Sequence, residues 1–412
     1  MSNNFRQINS CRISSDKKLK KIINFGNINL TGVFPKSKKK KILSTPLQLV
    51  YSKKSKLLQL KHNYNNQNLF GSNYGYRSGL NKTMVAHLKK KYLKLTSRLK
   101  LKPNDNVLDI GSNDGTFLNF FSKKINKFGC DPTAKKFKKY YSKDIKIIPK
   151  LFDSKNINNL KNKKFKIITS VAMFYDLNNP LQFCKNVESV IHKNGIFHVE
   201  IAYLPDIISK LSFDTFCQEH LTYYSYHSFK YLIKQTNFKI IDFNRNSING
   251  GSINFDLVLK NSKYKPNFKK INKLELFEKK IGITKYKTYI EFAKNIKNSI
   301  QKIGNVFKKL KGHKIYGFGA STKGNVTLQL CGINNKTMQG IYDINKDKFG
   351  SYTPGSKIFI KNEQEIYKDK PDYIVFLIWH FKKTIKEKFK KFKLSKTRYI
   401  WLFPKIIIKK NI

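Results

Sequence analysis

Alternating apolar runs and helical stretches between residues 106 and 260 predict an α/β chain, a doubly wound parallel sheet closed by an antiparallel hairpin. Three observations carry this. Apolar runs of strand length fall at 107–110, 125–130, 145–149, 165–171 and 195–201. Phe238–Phe243 and Ser252–Leu259 read as strands joined by a short polar turn containing Asn249-Gly250-Gly251, too short for anything but an antiparallel pair. A second αβ unit then starts at Lys314, and strands expected at 340–343, 373–378 and 399–403 complete a smaller sheet.

In chain order, residues 1–70 say least. They hold Cys11 in Cys-Arg-Ile-Ser-Ser, a segment from Pro46 to Leu60, and a polar linker from Asn63 to Asn68. A loop dense in aromatic hydroxyls follows, Asn73-Tyr74-Gly75-Tyr76-Arg77-Ser78-Gly79-Leu80-Asn81, before an amphipathic helix over Met84–Leu99. Tyrosines in such loops are usually half-buried packing. Standing just ahead of the parallel sheet, these could equally form a lid over a site.

The central stretch is Val107 to Gly115. Its apolar start reads as a buried strand, and Phe117, Leu118, Phe120 and Phe121 open an expected helix. Between them a Gly-bounded turn carries Asp109, Ser112, Asn113 and Asp114. Glycine lets a ligand approach the backbone closely. A phosphate site would want Gly-x-Gly-x-x-Gly or a lysine, whereas this turn is acidic and suits a cationic cofactor such as S-adenosylmethionine. Asp131 ends the next strand about twenty residues after Gly111, where a carboxylate can take ribose hydroxyls. Methyl transfer is the expectation.

Between the 195–201 strand and the hairpin lies Asp214 to Ser225, with Glu219-His220 flanked by Tyr223 and Tyr224. It follows a parallel strand, at the sheet edge where ligands bind, and a Glu-His pair there could supply a general base. Residues 272–308 read as a connecting helix or helix pair with one apolar face of Tyr289, Phe292, Ala293, Ile296, Ile300, Ile303 and Phe307, which is core packing. Gly317-Phe318-Gly319-Ala320-Ser321-Thr322-Lys323-Gly324-Asn325 can cradle phosphates at a helix N-terminus, and Trp379-His380 follows another strand's carboxyl end.

Composition narrows the class. The 412 residues suit two or three domains. No apolar run is long enough to span a membrane and the start has no signal-peptide pattern, so a cytoplasmic protein without membrane partners is expected. Five scattered cysteines fit reduced thiols. Lys+Arg 83 against Asp+Glu 25 gives +58, which by itself suggests polyanion binding. The lysines are spread along the chain with many Asn and Ile, as AT-rich coding would place them, so no specific nucleic-acid partner is expected.

With these residues together, the chain from about Cys11 to Pro404 resembles the sugar C-methyltransferases that act on nucleotide-linked keto-sugars. The resemblance rests on Tyr-Gly-Tyr-Arg-Ser at 74–78, Asp-Ile-Gly-Ser-Asn-Asp-Gly at 109–115, Glu-His at 219–220, Asn-Gly-Gly-Ser at 249–252, and Gly-Phe-Gly-Ala followed by Lys323-Gly324-Asn325. It implies a zinc-binding-like N-terminal segment over 1–70, a class I methyltransferase domain over 71–262, a helical connector over 263–308 and a Rossmann-like substrate domain over 309–412. It further implies that Asp109, Gly111, Ser112, Asn113, Gly115, Asp131, Tyr74 and Ser78 hold the cofactor. His220 would be the base, with Glu219 beside it and Tyr76 near the transfer site. Tyr223, Tyr224, Lys323, Asn325, Gly319 and His380 would face the nucleotide-sugar.

Three departures stand out. Ser14, Ser52 and Ser55 occupy positions where the family has cysteines, leaving Cys11 alone, so no zinc is expected. Cys217 and Gln218 replace a tyrosine and a histidine before Glu-His, and Asp176 stands where a histidine is usual. Rival readings are an O- or N-methyltransferase on a sugar or other small molecule, an RNA methyltransferase, and a non-catalytic binding protein.

Overall fold

The structure, a computed structural model, describes residues 4–65, 69, 75–392 and 394–412. Tyr74 lies outside the described residues.

The chain opens with β1 (Phe5–Gln7), then β2 (Leu19–Asn29), β3 (Ser44–Ser52), β4 (Leu58–Leu60) and β5 (His62–Tyr64). β2, β3 and β4 form an antiparallel sheet, and β1 pairs with β5. Two tight turns bring the four positions of the zinc-like pattern together. Cys11 Sγ lies 3.1 Å from Ser55 Oγ, and Ser14 Oγ 3.5 Å from Ser52 Oγ, which donates to Asp16 Oδ2 at 2.8 Å. One thiol among three hydroxyls is not a zinc donor set.

Helix α1 (Lys82–Leu99) starts where Asn81 Oδ1 accepts the Thr83 and Met84 N–H groups. It buries Met84, Leu88 and Leu95 against the sheet that follows. That sheet contains β6 (Asn106–Ile110), β7 (Asn126–Cys130), β8 (Ile145–Ile148), β9 (Phe165–Val171) and β10 (Ile191–Ala202), with α2 (Pro180–Val190) before β10. After α3 (Leu204–Ser209), β11 (Thr222–Tyr223) and α4 (Tyr226–Lys234) come β12 (Phe238–Asn246) and β13 (Ser252–Leu259). The order across the sheet is β12-β13-β10-β9-β6-β7-β8. β6 to β10 run parallel, and β13 slots antiparallel between β10 and β12. Alternate residues serve opposite faces: Val107, Ile167 and Ile196 pack under α1, while Leu108, Ile168 and Phe197 pack under α2 and α4.

One expectation changes here. The helices expected after β6 and β7 are single 3-10 turns, Leu118–Phe120 and Lys138–Tyr140. The two-residue strand β11, inside the Glu-His segment, joins β4 as an edge strand of the N-terminal sheet.

A buried ionic network anchors α1 to the sheet. Lys91 Nζ donates to Glu200 Oε2 at 2.6 Å and to His198 Nε2 at 3.1 Å, while His198 Nδ1 meets Asp256 Oδ1 at 2.6 Å. The ammonium can only donate, so His198 is the Nδ1–H tautomer. Every member has a counter-charge, which is the condition for keeping charges buried.

The connector is a helix pair, α5 (Phe268–Lys280) and α6 (Tyr286–Lys309). Beyond it β14 (Ile315–Phe318), α7 (Thr322–Leu330), β15 (Gly340–Asp343), β16 (Ile360–Asn362), α8 (Ile366–Asp369), β17 (Tyr373–Phe376), α9 (Lys382–Phe389), β18 (Arg398–Trp401) and β19 (Ile407–Lys409) form a six-stranded sheet, ordered β16-β15-β14-β17-β18-β19. The sequence shows three of these strands besides β14; β16 and β19 are edge strands of three residues, too short for a periodic signal. One core runs from the N-terminal sheet through the apolar face of α6 into this last sheet.

Candidate active site

A cavity of about 570 Å³ opens at the carboxyl ends of β6, β7 and β9. Its walls come from all parts of the chain. The turn after β6 forms the floor. Gly111 (φ +79°), Asn113 (φ +50°) and Gly115 (φ +75°) all take left-handed backbone there, a conformation that costs a residue with a Cβ. At Gly111 a Cβ would lie 3.0 Å from the Met173 side chain, and at Gly115 it would enter the Tyr141 ring.

Acidic groups converge on that turn. Asp109 Oδ1 accepts the Thr169 hydroxyl at 2.6 Å, and burial pushes its carboxyl up to about 7 against that bond, with the charge of Asp131 adding to the rise. Asp131 is also raised by burial, opposed by bonds from the Thr133 hydroxyl, the Thr133 N–H and the Asn113 N–H. Ser112 points elsewhere. Tyr141 Oη donates to the Asn113 carbonyl at 2.8 Å, so Ser112 Oγ must donate to Tyr141 Oη, also at 2.8 Å.

The aromatic loop straps over this floor. Asn113 Oδ1 accepts the Ser78 N–H at 2.9 Å and its Nδ2 donates to the Tyr76 carbonyl at 3.2 Å. Asp114 Oδ2 accepts the Gly79 N–H at 2.9 Å, and the Arg77 guanidinium lies over the Tyr140 ring at 3.9 Å. The Tyr76 side chain is exposed and lines the cavity with Ser78.

On the opposite wall stands His220. Its Nδ1 is 2.8 Å from the Thr215 carbonyl, and a carbonyl only accepts, so Nδ1 carries the proton and Nε2 is bare. Tyr175 packs against the ring edge-on at 4.6 Å. Burial holds the imidazole down at about 4, helped by the charge of Lys323 and opposed by the Thr215 bond. Glu219 lies next to it, buried, its carboxyl raised by burial, with Oε2 lacking a partner. Gly32 of the N-terminal lobe packs so closely that a Cβ would collide with Glu219 Oε1.

The last sheet supplies the remaining wall. Lys323, the second residue of α7, donates to the Asn249 carbonyl at 2.6 Å and faces the cavity. His380 lines the same wall, its Nδ1 buried without a partner and its imidazole held well below its ordinary value by burial and by Lys323. Trp379 Nε1 donates to Asp214 Oδ2 at 2.8 Å, joining this sheet to the Glu-His loop.

Five expected site residues stand outside the cavity wall. Tyr223 packs edge-on against Phe216 in the core shared with the N-terminal sheet, and Tyr224 against Phe174 and Phe229 behind the central sheet. Tyr223 is buried because β11 pairs with the N-terminal sheet, and Tyr224 because it bridges to Tyr203 within the core of the central sheet. Asn325 is buried with Nδ2 donating to the Thr31 carbonyl at 2.7 Å, so it joins lobes rather than facing a ligand. Gly319 (φ +90°) is a turn glycine whose Cβ would strike Ile378, and Gly115 plays the same part against Tyr141. Gln218 likewise looks away, donating to the Ile28 carbonyl and to Thr45 Oγ1.

The sequence reading also missed wall residues. Asp343 ends β15 and accepts the Ala320 N–H at 2.8 Å, as Asp131 accepts that of Asn113. It follows Gly319 by 24 residues, close to the 20 that separate Gly111 from Asp131, a signal that was legible. Gly32 and Phe34 gave none, and Asp176, marked in the sequence only as a departure from the family pattern, lines the wall as well.

Known proteins match this arrangement. Residues 84–242 match the family described as Methyltransferase domain, and residues 247–404 the one described as C-methyltransferase C-terminal domain. The C-methyltransferase NovU of Streptomyces niveus is 24% identical over 406 residues, covering 97% of this chain and 96% of its own. The chain is an S-adenosylmethionine-dependent methyltransferase similar to these C-methyltransferases. Among solved structures, a protein of Pyrococcus horikoshii shares 13% identity with a TM-score of 0.36, over 45% of the methyltransferase and 95% of its own length. The 1,6-didemethyltoxoflavin-N1-methyltransferase of Burkholderia thailandensis shares 10% with a TM-score of 0.33, over 43% and 80%. Among the described residues of the methyltransferase, no helix is long and apolar enough to cross a membrane, and no group of three or more His, Cys, Asp or Glu is placed to hold a metal ion.

Proposed function

We propose that this enzyme methylates a carbon next to the ketone of a nucleotide-linked 4-keto-sugar, through an enolate generated by His220. The observation that carries the reading is the His220 tautomer: a bare, neutral Nε2 facing a cavity walled by both α/β sheets. A proton next to a ketone is removed by a neutral base held in place, and such a base contributes typically 10²–10⁴-fold.

The floor of the cavity fits S-adenosylmethionine. Its chemistry is anionic, matching a sulfonium, and at Gly111 a Cβ would crowd the Met173 side chain. When bound, the cofactor supplies an electrophilic methyl group. Asp131 is assigned the ribose hydroxyls, and Asp109 with the backbone of 111–115 the rest of the nucleoside and amino acid. Ser78 and Tyr76 cover this side; Tyr74 is assigned there from its motif. Lys323 and His380 face the opposite end, where Lys323 offers its charge to the diphosphate of the sugar nucleotide. Withdrawal of the proton to His220 Nε2 leaves the electron pair shared between carbon and ketone oxygen, and the Nδ1–H bond to Thr215 keeps the ring oriented as it charges. The N-terminal lobe is read as holding its turns by the Cys11–Ser55 and Ser14–Ser52–Asp16 contacts in place of zinc.

The test is mass spectrometry of reactions with S-adenosylmethionine and a panel of nucleotide-linked 4-keto-sugars in deuterated water. One added methyl is expected, with deuterium entering beside the ketone even without cofactor. His220→Ala should abolish both while binding S-adenosylhomocysteine as before. A methyl found on a hydroxyl, an amine or RNA, with no exchange on any keto-sugar, overturns the reading.

A further inference from the structure

The chemistry above leaves Asp176 unused, yet its carboxyl stands in the cavity wall beside the base. It closes the single turn Phe174–Asp176 after β9. Backbone bonds press this turn onto the Glu-His loop. The Tyr175 carbonyl accepts the Leu221 N–H at 2.9 Å and the Thr222 hydroxyl at 3.1 Å. Asp176 and Glu219 therefore stand on adjoining turns of the same cavity wall, and each keeps one buried oxygen without a partner, Oδ1 and Oε2. Among the described residues no cation offsets either carboxyl. Two close carboxylates in a dry wall cannot both ionise. Burial first, then the charge of Glu219, push Asp176 well above the usual carboxylate range.

We propose that Asp176 and Glu219 share one proton and present a carboxyl O–H to the ketone oxygen while His220 removes the neighbouring proton. The inference rests on the C-methylation reading. The C–H bond breaks, its proton goes to His220 Nε2, and its electron pair spreads onto the ketone oxygen. The carboxyl hydrogen bond holds that charge and keeps its own proton. A donor aimed at a developing oxyanion in a water-poor site contributes about 10²–10³-fold. The ionisable groups acting on Asp176 are Glu219, Cys217 and Tyr223, while Lys323 acts on the adjacent His220. Cys217 and Tyr223 are raised well above their ordinary values by burial, so they stay neutral while the carboxyl pair titrates.

Asp176→Asn separates the possibilities. It keeps the shape and a donor, and a neutral amide beside an ionised Glu219 leaves the same single negative charge. The readout is deuterium entry beside the ketone of dTDP-4-keto-6-deoxyglucose and its GDP counterpart, measured against pH on the full chain without cofactor. Wild-type exchange is expected to fall on the alkaline side as the shared proton is lost. Asp176→Asn should stay within about tenfold of wild type at neutral pH and lose that alkaline fall, while Asp176→Ala should drop about 10²–10³-fold. Binding of S-adenosylhomocysteine and circular dichroism monitor folding; should the alanine variant not fold, the asparagine pH profile decides alone. An asparagine variant as slow as alanine, or one keeping the alkaline fall, overturns the shared proton. Absence of wild-type exchange on both probes overturns the C-methylation reading instead.

Discussion

At His220 the neighbouring carbonyl matters as much as the imidazole. Thr215 sits five residues upstream, and only the turn between them aims its oxygen at Nδ1. The residue type was legible in the sequence as Glu219-His220; the tautomer was not, because it depends on where that carbonyl points. Asp109 shows the opposite balance. Its place at a strand end was readable, and its raised carboxyl follows from burial and the charge of Asp131, against the Thr169 bond. A carboxyl raised from about 3.9 to about 7 gives stability that is complete below pH 4 and is lost as pH rises through 7. Asp109→Asn keeps an oxygen for the Thr169 hydroxyl and cannot ionise. The variant should therefore gain on wild type progressively from about pH 4 to 7 and hold the gain above. Thermal unfolding of the cofactor-free protein across that range checks this, and a pH-independent gap would show that Asp109 ionises freely.

At the scale of elements, the strap at 76–81 and the turn at 111–115 act as one unit. The sequence shows both as Gly-flanked polar loops, but the three hydrogen bonds between them join residues some thirty-five positions apart. Asn113 makes two of these three. Removing them at about 1 kcal/mol each should weaken S-adenosylhomocysteine binding by roughly tenfold or more in Asn113→Ala. Calorimetric titration reads the affinity, and faster proteolysis between Gly75 and Asn81 should accompany its loss. Unchanged affinity with faster cutting would mean the strap orders itself without serving the cofactor. Helix α1, directly after the strap, is held by Lys91 to Glu200. Lys91→Ala leaves Glu200 only the His87 ring and the Asn246 amide as partners, and breaking a buried ion pair costs up to about 3–5 kcal/mol, so a fall in the denaturant midpoint is expected. A midpoint near wild type would show that His87 and Asn246 suffice to hold the carboxylate.

Across the whole molecule the sheets are not independent. Tyr51, Tyr223, Phe216 and Phe292 place the N-terminal sheet, the Glu-His loop and α6 in one core that continues to Phe376 and Trp401. Asn325 and Gln329 on α7 bond to the carbonyls of Thr31 and Asn29 across that core. Scanning calorimetry should therefore show a single main transition rather than one per sheet. Resolved transitions for the N-terminal and C-terminal sheets would show that the shared core is too weak to couple them.

The sequence by itself determined the strand and helix periods, the antiparallel hairpin, the acidic glycine turn and the Glu-His pair, because these are local patterns of burial and turn chemistry. It could not show that crossovers of some fifteen residues hold only a 3-10 turn, nor that β11 pairs with the N-terminal sheet and carries Tyr223 into the core. Gly32 reached the cavity wall without any motif to announce it, and Asp176 was marked only as a departure from a family pattern. Those outcomes depend on which distant segments compete for the same space and the same hydrogen bonds, and only the packed chain decides that competition.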